Sequence, residues 1–197
     1  MGEAAMKLEG RYCYRDYLTW PEDERWELIG GIAYQMAAPN RRHQAIVVLL
    51  TMRIGNFLEG KACKLYVAPF DVLLPEPGEE DEGDATNIVE PDLVVFCDRG
   101  KLTGAGARGA PDLAVEILSP SNTQRTFREK FDLYQRMGIR EYWIVEPAGE
   151  WVNRFDLGED GRYGPAEIRD PIFKKGPIAS LVLPGFSIDP AEIFAAE

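Results

Sequence analysis

The run APDLAVEILSPSNTQRTFREKFDLYQRMGIREYWIVEP, residues 110–147, decides the fold. DLAVEIL is a short apolar run with β-branched residues, the signature of a buried strand. Ser119-Pro120-Ser121 follows as a helix N-terminal signal, and Gly138 as a C-terminal stop. Between them Phe127, Lys130, Phe131, Tyr134 and Met137 recur at helical spacing, and EYWIV then reads as a strand. Strand, capped helix and strand in succession predict a mixed sheet with helices packed on it.

Two charges sit where this pattern expects apolar side chains. Alternate residues of a strand share a face. Asp112, Ala114, Glu116 and Leu118 therefore point one way, and Leu113, Val115 and Ile117 form a clean core face on the other. Glu116 lies mid-strand among apolar neighbours, where a free carboxylate is costly to bury and needs a cation, a partner or a proton. Lys130 occupies the sheet-facing stripe of the helix, while Arg125, Arg128, Glu129, Asp132, Gln135 and Arg136 populate the other side. Buried lysines are rare without a partner.

The preceding strand, IVEPDLVVFC at residues 88–97, has the same grammar, with Asp92, Val94 and Phe96 on one face. Asp92 and Glu116 are 24 residues apart on consecutive strands, so two carboxylates converge if those strands are neighbours. Hard divalent ions take one or two carboxylates together with backbone carbonyls, water and phosphate oxygens. A lysine beside such a pair can orient water and stabilise charge on a pentavalent phosphorus. The purely structural alternative has Asp92 as a turn acid, Glu116 paired with Lys130 or Arg125, and Lys130 covering apolar surface with its stem.

Working outward, residues 12–18 predict a short helix, and 25–30 with 31–37 a hairpin turning at Gly30-Gly31. Residues 41–58 predict a long helix whose buried stripe is His43, Ile46, Val47, Leu50, Ile54, Phe57 and Leu58, with Gly60 as its stop. Residues 65–74 read as one strand with a proline interruption, 76–84 as a solvated, mobile acidic loop, and 99–109 as a glycine-rich connector. Residues 151–155 and 168–172 read as a meander, and the tail from Leu181 as a short strand and a brief helix opened by Asp189-Pro190.

At 197 residues, with 45% hydrophobic and 28% charged residues, one domain can bury a real core. No apolar run suits a membrane span and the N-terminus has no signal-peptide core, so a cytoplasmic protein is expected. Cys13, Cys63 and Cys97 carry no metal or disulfide spacing, which predicts reduced thiols. The single histidine, His43, excludes a multi-histidine metal site. A net charge of −11 argues against coating nucleic acid by bulk electrostatics, but not against an acidic enzyme whose carboxylates hold metal. GAGARG at 104–109 matches G-x-G-x-x-G literally, yet it runs into Pro111 and a strand where the dinucleotide motif requires a helix. No serine lies in a G-x-S-x-G elbow that could use His43.

PDLVVF, PDLAVEILSPSN, EK-x₃-Y and GIREYWIVEP, with ELIGGIAYQMAAPNRRH upstream, resemble the Uma-type restriction-endonuclease-like family of the PD-(D/E)XK nuclease superfamily. The resemblance spans about residues 20–147 and extends more weakly to PGFSID. It implies one domain over 1–197, an α/β restriction-endonuclease-like mixed β-sheet core flanked by helices, with an N-terminal β-hairpin and a C-terminal β-meander. It further implies phosphodiester hydrolysis with Mg²⁺, Mn²⁺ being possible. Asp92 and Glu116 match the metal-binding acids. The superfamily lysine usually follows two residues after the second acid; that position is Leu118, and Lys130 matches the variants whose lysine has moved to the next helix. Glu27, His43 and Tyr134 match supporting positions, whereas Gly30 and Thr126 stand where the family commonly has aspartate.

The expected function is a metal-dependent endonuclease acting on DNA, with Asp92, Glu116 and Lys130 catalytic, acting as a homodimer and without membrane association. The alternatives are a catalytically inactive homo-oligomeric interaction or nucleic-acid-binding protein on the same fold, or hydrolysis of a smaller phosphoester. Arg41, Arg42, Arg99, Lys101 and Arg108 are the expected phosphate-contacting cations.

Overall fold

The computed structural model describes residues 7–8, 10–21, 23–119, 124–164, 167–169 and 176–195. The N-terminal part supplies β1 (Lys7–Leu8), α1 (Tyr14–Tyr17), β2 (Trp26–Ile29), β3 (Ile32–Gln35) and α2 (Arg41–Leu58). Gly30 and Gly31 make the primed turn between β2 and β3 because both adopt positive φ, 59° and 76°, which glycine reaches without strain. Asn40 caps α2 by accepting the His43 N–H at 2.9 Å, and the buried residues include His43, Ile46, Val47, Leu50, Ile54 and Leu58.

The two proline-bearing runs predicted as single strands are each divided between sheets. Residues 65–74 become β4 (Lys64–Val67) and β5 (Asp71–Leu73), with Pro69 at the crossing. Residues 88–97 become β6 (Ile88–Val89) and β7 (Leu93–Phe96), with Glu90-Pro91-Asp92 between them. Proline lacks the N–H a ladder needs, so both segments leave one sheet and enter the other there. The glycine-rich connector contains a further strand, β8 (Gly106–Arg108), parallel to β5. A Cβ on Gly106 would sit 2.1 Å from the Asp71 carbonyl oxygen, so the motif's glycine serves close strand approach and no helix follows it. Gly106→Ala is expected to cost about 1–3 kcal/mol by overpacking, read as a lower urea midpoint at constant m-value.

The opening stretch folds as β9 (Leu113–Ile117), α3 (Gln124–Met137) and β10 (Glu141–Glu146), and β9 and β10 are parallel neighbours. Pro120 and Ser121 of the expected cap lie outside the described residues. Gly138, at φ 81°, ends α3: its N–H donates to the Gln135 carbonyl at 3.2 Å and that of Ile139 to Tyr134 at 3.0 Å, a Schellman closure. The expected meander is β11 (Trp151–Asp156) and β12 (Glu167–Arg169), and residues 170–172 of it lie outside the description. β13 (Ile178–Ala179), β14 (Ser187–Ile188) and α4 (Pro190–Phe194) complete the chain.

Two six-stranded mixed sheets result, ordered β1-β3-β2-β6-β5-β8 and β12-β11-β10-β9-β7-β4. α2 and the C-terminal segment cover one face of the second sheet through Ile46, Leu50, Val95, Val115, Trp143 and Phe186. α3 and the first sheet cover the other face through Val94, Ala114, Leu133, Tyr134, Tyr142 and Val72. β9 is therefore buried on both sides, and the Glu116 face is interior as well. Glu141, fully buried, ties the tail to β10 by accepting from Trp143 Nε1 at 2.5 Å, Ser180 Oγ at 2.7 Å and the Val182 N–H at 2.9 Å.

One expectation is overturned and a second is refined. Cys63 and Cys97 form a disulfide, with Cα atoms 3.9 Å apart. β4 and β7 are antiparallel with Lys64 opposite Phe96, so one more rung sets the two cysteines face to face across 34 residues of sequence. Spacing along the chain carries no trace of that register. Cys13 is the free thiol. The acidic segment is solvated as expected, with Glu80, Asp81, Glu82 and Asp84 exposed, but it is also anchored by hydrogen bonds. Glu79 accepts from the Glu76 N–H at 2.7 Å and Thr86 Oγ1 at 2.6 Å, and Arg108 donates to the Glu79 and Glu80 carbonyls at 2.8 and 3.0 Å. Among the described residues no helix is long and apolar enough to cross a membrane.

Candidate active site

Antiparallel pairing of β7 and β9 puts Val94 opposite Ala114 and Leu93 opposite Val115. One rung further places Asp92 opposite Glu116, on the face shared with Val94 and Ala114. Side chains directly opposed across such strands have Cβ atoms about 4.5–5.5 Å apart. The convergence inferred from spacing is thus a consequence of register. Asp92 Oδ2 accepts the Ile117 N–H at 2.7 Å, and His43 Nε2 lies 3.1 Å from each Asp92 oxygen. Asn40, by capping α2, fixes the first-turn backbone from which His43 projects.

Glu116 Oε1 accepts from Lys130 Nζ at 2.8 Å and from Tyr134 Oη at 2.7 Å. The helical i, i+4 spacing of Lys130 and Tyr134 aims both at one oxygen. Lys130 also lies 2.8 Å from Glu27 Oε1, so one ammonium bridges carboxylates of the two sheets. Glu27 is placed by strand alternation: Trp26 and Leu28 enter the outer core of the first sheet, and Arg25, Glu27 and Ile29 face the second sheet. Glu27 Oε1 also accepts the Glu90 N–H at 2.8 Å. Glu90 in turn accepts from Arg25 Nε at 3.2 Å and from Arg25 Nη2.

Glu116, Lys130 and Glu27 are 6%, 7% and 3% exposed. Burial raises the Glu116 carboxyl to about 7; Lys130 pulls it back, and the Glu27 and Asp92 charges push it up. Burial pulls Lys130 down, but Glu116 and Glu27 outweigh it, so the ammonium is held above its ordinary range. Tyr134 is raised well above its usual value, by burial first and then by Glu116. Three carboxylates facing one ammonium and a histidine leave an excess of buried negative charge.

A cavity of about 180 Å³ joins these groups, lined by Arg25, Glu27, His43, Asp92, Glu116 and Lys130 on its polar side. Met36, Pro39, Val47 and Val67 form an apolar wall. The cations expected at the cleft are distributed differently. Arg42 pairs with Glu150 at 2.6 Å, Lys101 donates to the Ala110 carbonyl at 2.8 Å, and Arg108 serves the acidic loop. Arg99 and Lys101 lie in the turn that follows β7, and Arg108 lies on β8 of the first sheet; none of them lines the cavity. Gly30, at a family aspartate position, is a turn residue whose N–H donates to Asn87 Oδ1 at 2.8 Å, and it does not line the cavity. The side chain of Thr126 lies outside the described residues.

Among the described residues no three His, Cys, Asp or Glu side chains are grouped to hold a metal. The acidic side chains lining the cavity offer mainly carboxylate oxygen, with His43 the one imidazole, whereas zinc sites are built chiefly on cysteine sulfur and histidine nitrogen with carboxylate as a minority ligand. Two opposed carboxylates in a cavity with unbalanced negative charge do fit a hard divalent cation of the magnesium type, which keeps water and phosphate oxygens in its remaining positions.

A solved structure shares the fold: the crystal structure of a putative nuclease belonging to DUF820 from Anabaena variabilis matches with a TM-score of 0.73 over 93% of this chain and 97% of that one, at 18% identity. The Synechocystis protein slr1290, named as uncharacterized, is 26% identical over 149 residues, 74% of each chain. The family model "Uma2: Putative restriction endonuclease" matches residues 14–191. The chain belongs to the Uma2 family. The mixed α/β fold expected from the sequence holds, and the nuclease-like family assignment with it.

The structure brings Asp92, Glu116, Lys130, Glu27, His43 and Tyr134 into one network. Sequence reasoning missed Arg25 and Glu90. Applying the strand period to RWELI would have put Arg25 on the Glu27 face, but Glu90 was hidden by reading 88–97 as one strand. If Glu116 holds a divalent cation, its raised carboxyl has a measurable consequence: below pH 7 the cation must displace a proton. Mn²⁺ affinity should fall by up to about tenfold per pH unit from pH 7 downward, with proton release. Calorimetric titration in two buffers of different ionisation enthalpy checks this, and the release should vanish at pH well above 7.

Proposed function

We propose that the protein is a divalent-metal-dependent endonuclease that hydrolyses DNA phosphodiester bonds. The observation that carries this reading is the opposition of Asp92 and Glu116 in a cavity, with Lys130 hydrogen-bonded to Glu116. Asp92 and Glu116 would hold Mg²⁺ or Mn²⁺, which when bound supplies Lewis acidity and a more acidic water. The protein's own share is then positional and electrostatic. The Ile117 N–H and His43 fix Asp92, and Tyr134 and Lys130 fix Glu116. Lys130 stays protonated at neutral pH, so it acts as a donor that orients water and stabilises charge gathering on the phosphoryl oxygens, and not as the base. Double-strand cutting suits two such sites, and a homodimer belongs to the same reading; light scattering on the purified protein tests it.

The test is incubation of supercoiled and linear DNA with the purified protein and Mg²⁺ or Mn²⁺, beside Glu116→Ala and Lys130→Ala. The second reading, an inactive interaction or nucleic-acid-binding protein on this fold, is favoured by the closed Glu27–Lys130–Glu116 bridge, which satisfies Lys130 without any cation. It requires Mn²⁺ binding no tighter than about millimolar, and cleavage absent from the wild type.

A further inference from the structure

Asp92, Glu116 and Lys130 account for a scissile phosphate, but a polynucleotide presents further phosphates beside it; of the expected basic residues Arg42, Lys101 and Arg108 are bonded elsewhere, and neither Arg41 nor Arg99 lines the cavity. Arg25 is the arginine that lines the cavity among the described residues. It stands two residues before Glu27 on the same strand face, about 7 Å along it. The Met36 N–H donates to the Arg25 carbonyl at 2.9 Å, extending the β2–β3 ladder through this position, so the backbone of Arg25 belongs to the rigid hairpin.

The side chain is fixed as firmly. Nε and Nη2 both donate to a single oxygen, Glu90 Oε2. The Glu90 side chain is 4% exposed, whereas that of Arg25 keeps 36% of its surface. A guanidinium has five N–H donors in a planar fork, and the bonds to one Glu90 oxygen use one edge of it. Glu90 also donates its backbone N–H to Glu27, the partner of Lys130. One residue at the sheet crossing therefore holds both the Lys130 bridge and the Arg25 fork, and Asp92 follows two positions later. A solvent-exposed arginine pair alone does not call for a nearly fully buried carboxylate at this crossing.

We propose that Arg25, held by Glu90, is a phosphate-binding residue of the substrate track, gripping a nucleic-acid phosphate adjacent to the one being cleaved. The proposal rests on the nuclease reading above. Arginine suits the task because its fork matches two non-bridging phosphate oxygens at once.

The experiment is equilibrium binding of a DNA duplex to wild type, Arg25→Ala, Arg25→Lys and Glu90→Gln in Ca²⁺ over a series of KCl concentrations. Arg25→Ala should weaken binding about tenfold and make the slope of log K against log salt shallower by about 0.9, the counterion release of one phosphate contact. Arg25→Lys should keep the slope and lose part of the affinity, and Glu90→Gln should weaken affinity with the charge still present. In cleavage assays the Arg25 effect should fall on KM more than on kcat. An unchanged slope in Arg25→Ala, with wild type still cleaving, overturns the assignment of Arg25 and leaves the nuclease reading standing. Wild type that neither binds nor cleaves DNA overturns both. If the alanine variant fails to fold, Arg25→Gln, which removes the charge but keeps an N–H donor for Glu90, should give the same shallower slope, and an unchanged slope there overturns the assignment.

Discussion

Glu116→Ala should reduce DNA cleavage in Mg²⁺ or Mn²⁺ by about a thousandfold or more. A carboxylate-bound cation contributes several kcal/mol of transition-state charge stabilisation, and each 1.36 kcal/mol is tenfold in rate. Glu116→Gln should fare little better, because the amide keeps a partner for Tyr134 but loses the charge. Lys130→Ala should cost about a hundred- to thousandfold, the scale of removing one preorganised donor. The two losses should be far from additive, since Lys130 and Glu116 share a hydrogen bond at 2.8 Å. Single-turnover cleavage of one labelled duplex measures all three. Undiminished cleavage in Glu116→Ala or Lys130→Ala would remove those residues from the mechanism.

The second large effect is on stability. Lys130→Ala leaves Glu27 and Glu116 buried with no ammonium between them, and breaking a buried pair in this way costs about 3–5 kcal/mol. The cost should depend on pH. Glu116 already has its folded carboxyl raised from 4.5 to about 7. Its contribution to stability is therefore fully present below about pH 4.5 and is lost as pH rises through 7. Without Lys130, which pulls that value down, the folded carboxyl rises further and the loss above pH 7 deepens. Urea denaturation of wild type and Lys130→Ala should accordingly show a larger difference at pH 8 than at pH 5.5. A difference that is the same at both would mean that Glu116 does not carry the proton. Lys130→Met combined with Glu116→Leu, Glu27→Leu and Tyr134→Phe should recover part of the stability lost in Lys130→Ala while abolishing cleavage, because the apolar set removes the desolvation cost along with the attraction but leaves the Glu90 N–H without its acceptor.

Where sequence reading succeeded, it did so through local periodicity. The α2 helix was predicted over 41–58, as observed, because its stripe repeats for five turns and Asn40 caps it. The hairpin at Gly30-Gly31 was legible because only glycine makes two successive positive φ angles cheap. Glu116 and Lys130 were legible because each violates a pattern that its neighbours keep. The errors share a different cause. Glu90, Cys63 with Cys97, and the bound state of the acidic segment all depend on which strands are neighbours, and each partner lies far away in sequence. The prolines at 69 and 91 marked the places where strands change sheets, but a proline in an apolar run also suits an edge strand, and local pattern does not separate the two.

By itself, then, the sequence determined the strand–helix–strand unit, the two anomalous charges within it and the face on which each lies. Those follow from the 2.0 and 3.6 periods of the backbone, which need no knowledge of the remainder of the chain. Only the tertiary structure decided that Asp92 stands opposite Glu116, that Glu27 shares Lys130 with it, and that Glu90 holds Arg25 at the same cavity. These depend on the β7–β9 register and on the crossing between the two sheets, and register is set by the packing of whole faces against each other.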